Sequence, residues 1–407
     1  MTQPITNTNT ATRQTAAPAI SGAMTFLLAM SCGLIVANIY YCQPLIGPIS
    51  TALGMSPKSA GLIATLTQLG YVVGLLLLVP LGDLIENRKL VTGVMAIGAV
   101  ASLAAASVSH AAPFLLACLF IGLGSVSVQI LVPFAAHLAP EAIRGRVIGQ
   151  ATSGLMLGIM LARPAASLIT DLLSWHAVYL LSATIMVILG LVLRRSLPTR
   201  QPTHNLSYGA LLASMGHLFT QTPLLRRRGF YHFGMFGAFS LFWTTVPLLL
   251  ASPAYGLSQT GIALFALVGV AGAISAPLAG MAADHGWSRP ATGGAIVLAA
   301  FAFLMTQFAT PGSTLALGLL VAAAVLLDFG VTANLVLGQR AIFSLGASLR
   351  SRLNGLYMSI FFIGGALGSA LGAWSYAHGG WSLTAWVGFA MPAVILPFYA
   401  TEWLVKK

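Results

Sequence analysis

Charge is what this chain has least of. Only 6% of its 407 residues are Asp, Glu, Lys or Arg, against about a quarter in a soluble domain. So few charges cannot cover a water-facing surface of this size, which excludes an ordinary soluble domain and leaves lipid as the main solvent. Acids are scarcest, with seven in all. The three cysteines, Cys32, Cys42 and Cys118, lie inside apolar runs without metal-type spacing. They read as buried thiols, not as a disulfide framework or a metal site. No G-x-x-x-x-G-K-[ST] loop is present, which excludes a P-loop nucleotide engine. No segments of about ten residues with alternating polarity occur, which excludes a membrane β-barrel. Catalytic pairs of His, Asp or Glu are missing from the apolar runs, which argues against a membrane-embedded enzyme. No cofactor and no metal are expected.

What the chain does have is apolar runs, at 23–47, 59–81, 90–109, 113–137, 146–170, 176–194, 229–250, 258–281, 291–308, 314–339, 353–376 and 382–403. Each is long enough to cross roughly 30 Å of hydrocarbon as a helix. The expected fold is an all-α membrane protein with twelve transmembrane helices. Residues 1–22 are polar and should be a disordered cytoplasmic segment, and the first run reads as a retained helix. The net charge of +12 is spread over short gaps between runs, so it marks topology and not a nucleic-acid face. With both termini in the cytoplasm, every base except Lys58 and Arg163 falls in a cytoplasmic gap or tail. The expected partner is a lipid bilayer, with no nucleic acid, and the expected state is a monomer.

A bundle at 23–194 and a second at 229–407 flank the longest gap, 195–228, which reads as a cytoplasmic linker. Its "LSYGALLASMGHLF" spaces Leu211, Met215 and Leu218 nearly as one helix face. That fits an interfacial helix or a plain tether. The two bundles resemble each other. "EAIRGRVIG" matches "GASLRSRLNG", aligning Arg144 with Arg350, and the same offset aligns Gly158 with Gly364 and Trp175 with Trp381. Asp83 after the second run corresponds to Asp284 after the eighth. One shift of about 200 residues relates all of these, as in a six-plus-six parallel repeat. Gly154 and Gly158 in the fifth run, and Gly364, Gly368 and Gly372 in the eleventh, form one-per-turn ladders that let helices approach closely.

The loops "VPLGDLIENRKLV" and "AGMAADHGWSRPA" resemble the loop motif of the major facilitator superfamily. Leu81, Gly82, Asp83 and Arg88 match in the first, and Gly280, Ala283, Asp284 and Arg289 in the second. Val79, Leu84, Glu86 and Asn87 depart from it. The resemblance covers all twelve runs. It implies the two-bundle fold of that family, alternating access to a central site, and a conformational latch made of Asp83, Arg88, Asp284, Arg289, Arg144 and Arg350. "NIYYCQPLIGPI" and "TLTQLGYVVGLLLLVPLGDL" look like the bacterial AraJ/YnfM-like efflux branch. The ladder of the fifth run resembles the antiporter pattern, with Arg163 where proline is usual. The motif arginine of many proton-coupled exporters is replaced by Cys118. The implied function is proton-coupled export of a small organic compound across the bacterial inner membrane. An uptake symporter or facilitator stays open beside it, as does a transporter-like sensor.

Five of the seven acids fall in or beside cytoplasmic loops or the tail, Glu402 among them, and Asp171 lies near the outer end of the fifth run. Asp328 alone sits near mid-membrane, roughly 21 Å into the tenth run. A charge there costs at least about 2.5–3.5 kcal/mol. It should therefore face the bundle interior, either as a proton-coupling acid or as a neutral packing group. Arg163 is the one base within the membrane. It could hold an anionic substrate, pair with Asp171 or snorkel outward. Asn38, Tyr41, Gln43, Gln68, Gln129, Trp243 and Asn334 sit at interior depths as candidate cavity residues. Such a lining suits a neutral or amphipathic organic molecule, although Tyr41 would equally fit an aromatic belt.

Overall fold

The computed structural model describes residues 20–201, 207–346 and 349–404, so of the disorder expected over 1–22 the part at 1–19 lies outside the described residues, while Ser21 and Gly22 already cap and open the first helix. The helices are α1 Gly22–Tyr40, α2 Cys42–Ala52, α3 Leu62–Leu77, α4 Asn87–Ser107, α5 Ala111–Ser125, α6 Val128–Leu138, α7 Glu141–Leu172 and α8 Trp175–Ser196, then α9 Tyr208–Gln221, α10 Pro223–Ala251, α11 Gln259–Ala266, α12 Ser275–Asp284, α13 Ser288–Met305, α14 Thr314–Phe343 and α15 Arg350–Leu404. No strand occurs among the described residues.

Local chemistry sets the boundaries. Ser21, Ser174, Ser207, Ser258 and Ser313 each accept the backbone N–H three residues on, opening α1, α8, α9, α11 and α14. The first run goes on to Ala52, beyond the expected 47, and breaks at Tyr41. Pro44 has no N–H to give Tyr40 and crowds its carbonyl, so one continuous helix is blocked there. Helix α10 begins at Pro223 rather than 229, because proline at the first helical position is favourable. Helix α15 is two crossings merged across Gly379 and Gly380, where Gly380 has φ +57°, a backbone that only glycine adopts cheaply. Among the described residues, eleven stretches are long and apolar enough to span a membrane. Split at that break, the last supplies two, giving twelve crossings.

The crossings form two pseudo-symmetric six-helix bundles built around the same helix pairing. In the first, α7 lies against α1, and a Cβ on Gly154 or Gly158 would run into the carbonyl oxygens of Ala29 and Gly33. In the second, α15 lies against α10, where Gly364 and Gly368 meet the carbonyls of Phe233 and Gly237 in the same way. Gly372 follows one turn on, against Leu241. Helix α9 packs Met215 into one cluster with Leu225, Leu353 and Tyr357 of the second bundle, with Leu212 and Leu218 against it, and Leu211 is buried as well. Its apolar face is therefore covered by protein. Tyr208 donates to the Leu77 carbonyl of the first bundle, and Arg352 donates to Ser214.

The bundles meet along α3 and α15. Thr65 donates to the Ala366 carbonyl, Gln68 Nε2 reaches both Ser240 and Ser369 at 3.3 Å, and Tyr71 meets Phe362 with ring centroids 4.4 Å apart. Two further contacts lie at the ends away from most arginines, α2 against α10 and α7 against α11. There Asp171 accepts from Thr260. A space of about 780 Å³ lies between α1 and α7, with Arg146 among its lining residues on the arginine-rich side.

A Cβ at Gly158 has backbone in its way and cannot be relieved by a rotamer change. Gly158→Ala should cost about 1–3 kcal/mol and lower the melting temperature in detergent. Gly149→Ala, with open space around it, should be neutral or stabilising by up to about 1 kcal/mol. Thermal denaturation of the two purified variants checks the contrast.

Candidate functional site

Asp328 sits in the middle of α14 and is 5% exposed. Its Oδ1 accepts the indole N–H of Trp243 at 2.9 Å, so it faces the interior of the protein and not lipid. The chain opposite it is the 3₁₀ segment Leu267–Ile274 that joins α11 to α12. Three residues per turn put Gly269 and Gly272 on one face. That face lies on Asp328: a Cβ at Gly269 would come 2.8 Å from Oδ2, and one at Gly272 2.8 Å from the Asp328 Cβ. Only glycine lets this backbone lie so close to the carboxyl group.

Arg163 of α7 is 3% exposed. Its Nε donates to Gln43 Oε1 at 2.7 Å, and Nη2 is buried with no hydrogen-bond partner among the described residues. Its guanidinium carbon lies 4.4 Å from the Trp243 ring centroid, 5.0 Å from Phe239 and 5.1 Å from Tyr40. A desolvated cation–π contact contributes about 2 kcal/mol, so this aromatic box offsets part of the cost of burying the charge. Trp243 touches both charges, Arg163 with its ring and Asp328 with its N–H. The cation comes from the first bundle and the carboxyl from the second. Arg163 and Asp328 do not form a direct ion pair among those present.

The other candidates divide by location. Gln43 joins the Arg163 cluster. Gln68 lies in the seam between bundles, with its Oε1 buried and unpartnered. Asn38 is turned into the first bundle, donating to the carbonyls of Leu34 and Ile35 and accepting from Ser182. Gln129 donates to Tyr71 at 2.9 Å, also inside the first bundle. Asn334 meets His232 Nδ1 at 3.1 Å inside the second. Only Tyr41 of this set lines the 780 Å³ space, together with Gly33, Gly154, Arg146 and Ala162. The polar cluster and this space are thus adjacent but separate in this conformation. Sequence reasoning missed Phe239, Gly269, Gly272 and His232. The spacing of the two glycines in "LVGVAGAI" was the readable signal. His232 is fully buried, stacked on Tyr357 and Phe361.

Apart from Asp83, the expected latch residues bond within their own bundles. Asp284 is bonded to Arg340. Arg289 lies 4.0 Å from Glu402, which is 7% exposed within α15 and not in a free tail. Arg88 lies 3.9 Å from Glu86 and donates to the Leu197 carbonyl. Arg144 and Arg350 cap the preceding helices alike, donating to the carbonyls of Ala136 and Phe343. Asp83 lines a small crevice with Ser351 and Arg352 of the second bundle. Asn87, where the motif prefers arginine, closes the first loop by donating to the Gly82 carbonyl at 3.0 Å.

Residues 22–320 match the sequence profile of the Major Facilitator Superfamily. The chain is 39% identical to the "Uncharacterized transporter YgaY" of Escherichia coli O157:H7 over 377 residues, covering 93% of this chain and 95% of that one. It is 32% identical to the "Probable transporter SCO4007" of Streptomyces coelicolor, covering 92% of this chain and 87% of that one. Among solved structures, the nucleoside transporter NupG (D323A mutant) superposes with a TM-score of 0.76 at 14% identity, covering 93% and 99% of the two chains. A POT family transporter in complex with 5-aminolevulinic acid gives 0.70 at 15%, covering 93% and 96%. At such identities the likeness is one of fold.

Trp243→Phe keeps a ring over Arg163 and removes the donor to Asp328. It should destabilise the protein by about 1–3 kcal/mol, and by clearly less in an Asp328→Ala background. A double-mutant cycle followed by thermal denaturation reads the coupling, and strictly additive effects would contradict the contact.

Proposed function

This chain belongs to the Major Facilitator Superfamily, a family of membrane transporters and not of enzymes, and on that premise we propose that it exports a small organic compound in exchange for protons. The observation that carries this reading is the Arg163–Trp243–Asp328 array at the seam between bundles. An ionised Asp328 accepts from Trp243 and attracts Arg163 through a low-dielectric interior. Protonation removes the negative charge and loosens this hold, which frees the bundles to rock apart on that side. Loss of the proton on the other side restores it. Differential stability of the two states is what lets a proton gradient drive a conformational cycle.

The substrate in this reading is amphipathic. Its apolar body lies along the α1–α7 hollow, and its polar end reaches Gln43 and the free Nη2 of Arg163. The AraJ/YnfM-like efflux resemblance favours export. In this reading the protein is a monomer of the bacterial inner membrane, and its arginine-rich loops and both termini lie in the cytoplasm, an orientation supported by the retention of basic loops on that side. The pairs Asp284–Arg340 and Arg289–Glu402, with Arg88, Arg144, Arg350 and the Asp83 crevice, act as the latch, stiffening each bundle's cytoplasmic ends as it moves.

In proteoliposomes screened with a compound panel, an imposed proton gradient should drive uphill movement by the wild type. Asp328→Asn should lose that gradient dependence while keeping downhill exchange. Coupled transport that survives in the variant removes Asp328 from the mechanism. Arg163→Gln should weaken binding of anionic substrates more than of neutral ones.

A further inference from the structure

On the arginine-rich side, the ends of α10, α13 and α15 converge on one carboxylate. Arg227, Arg228 and Arg289 lie 3.8, 3.7 and 4.0 Å from Glu402. At these distances they are attracted but not hydrogen-bonded. The bond to Glu402 Oε1 comes from the Tyr231 hydroxyl at 2.9 Å. Three guanidinium groups around one carboxylate leave two positive charges in excess. Arg226 adds another base nearby in sequence, and Lys406 and Lys407 follow Leu404. Arg228 is 6% exposed and is held by Thr292 through Nη1, and Arg227 Nη2 donates to the Phe398 carbonyl and the Thr401 hydroxyl, while the Nε of each is buried without a hydrogen-bond partner among the described residues. The Arg289 side chain is 44% exposed, and its guanidinium makes no hydrogen bond among the described residues. Arg289 also belongs to the first turn of α13, whose N-cap, Trp287, offers no side-chain bond. The unsatisfied N–H groups and dipole of that turn favour an anion.

The surroundings identify the anion's carrier. Beside the arginines, Phe230, Phe398, Trp403, Leu404 and Trp287 are exposed by 39, 43, 58, 79 and 66%. Arg227 lies over the Phe398 ring at 4.8 Å, and Trp403 donates to the Tyr399 hydroxyl. Amphipathic rings with exposed apolar faces, next to clustered arginines at helix ends, are what a lipid headgroup meets at the interface. We propose that the α10–α13–α15 corner binds the phosphodiester of an anionic phospholipid, with Arg289 and Arg227 as its ligands and Phe398 and Trp403 against its acyl chains. Arg228 is neutralised by Glu402 and forms the floor of the site.

The test uses the full-length protein and phosphatidylglycerol, with phosphatidylcholine and inorganic phosphate as the comparison arms. Native mass spectrometry counts bound lipid, and thermal denaturation reads protection. The wild type should retain phosphatidylglycerol over phosphatidylcholine and gain thermal stability from it. Arg289→Gln and Arg227→Gln should each weaken retention about five-fold, while Arg195→Gln, a base outside the cluster, should not. Equal retention of the two lipids, or full preference in Arg289→Gln, overturns the proposal. Protection by inorganic phosphate equal to that by phosphatidylglycerol overturns the lipid assignment in favour of a free anion. The wild-type comparison needs no substitution and stands even if a variant fails to fold.

Discussion

The account depends on one indole ring. Trp243 presents its face to Arg163 from one bundle and its N–H to Asp328 in the other. A buried charge of either sign is costly alone. Together, with an aromatic between them, the two groups are tolerable without collapsing into a direct ion pair. In the proposed cycle that separation is what makes the array switchable. A tight ion pair would lock the seam, whereas a pair coupled through a polarisable ring can be tuned by one proton or by one polar ligand. The free Nη2 of Arg163 and the glycine-faced Oδ2 of Asp328 are the two open valences of the array.

Everything else in the fold serves to hold that array at the seam. The small-residue ladders bring α1 onto α7 and α10 onto α15 at backbone contact, so Arg163 and Trp243 are carried on tightly paired helices. Gln43, in the first turn of α2 just past the interruption at Tyr41, accepts from Arg163. The 3₁₀ stretch in the eighth crossing lines up Gly269 with Gly272 and lets the backbone cover Asp328. Local sequence choices thus become site geometry through helix packing, with α3 and α15 supplying the contact about which the bundles close.

Much of the architecture was legible in the sequence, because apolar run length and loop charge report directly on lipid as solvent. Asp328 and Arg163 stood out for the same reason: each is alone of its kind at membrane depth. Depth does not reveal helix face. Asn38, Gln129 and Asn334 lie as deep as Gln43, yet Ser182, Tyr71 and His232 satisfy them inside single bundles. Glu402 was read as part of a tail because its position near the chain end hides its burial beneath three arginines. Asp284 finds Arg340, 56 residues away in sequence, a pairing that only the fold can bring about. The 3₁₀ segment also escaped, since its apolar letters fit an α-helix equally well.

The central claim is that the charge array holds the two bundles together on the side away from the arginine-rich loops. The most direct measurement is the distance between spin labels placed there, at Leu172 of α7 and Gln259 of α11, in detergent-solubilised protein. The account predicts one short-distance population with Asp328 intact, and a second, longer population when Asp328 is replaced by Asn. Superimposable distance distributions in the two proteins would contradict it.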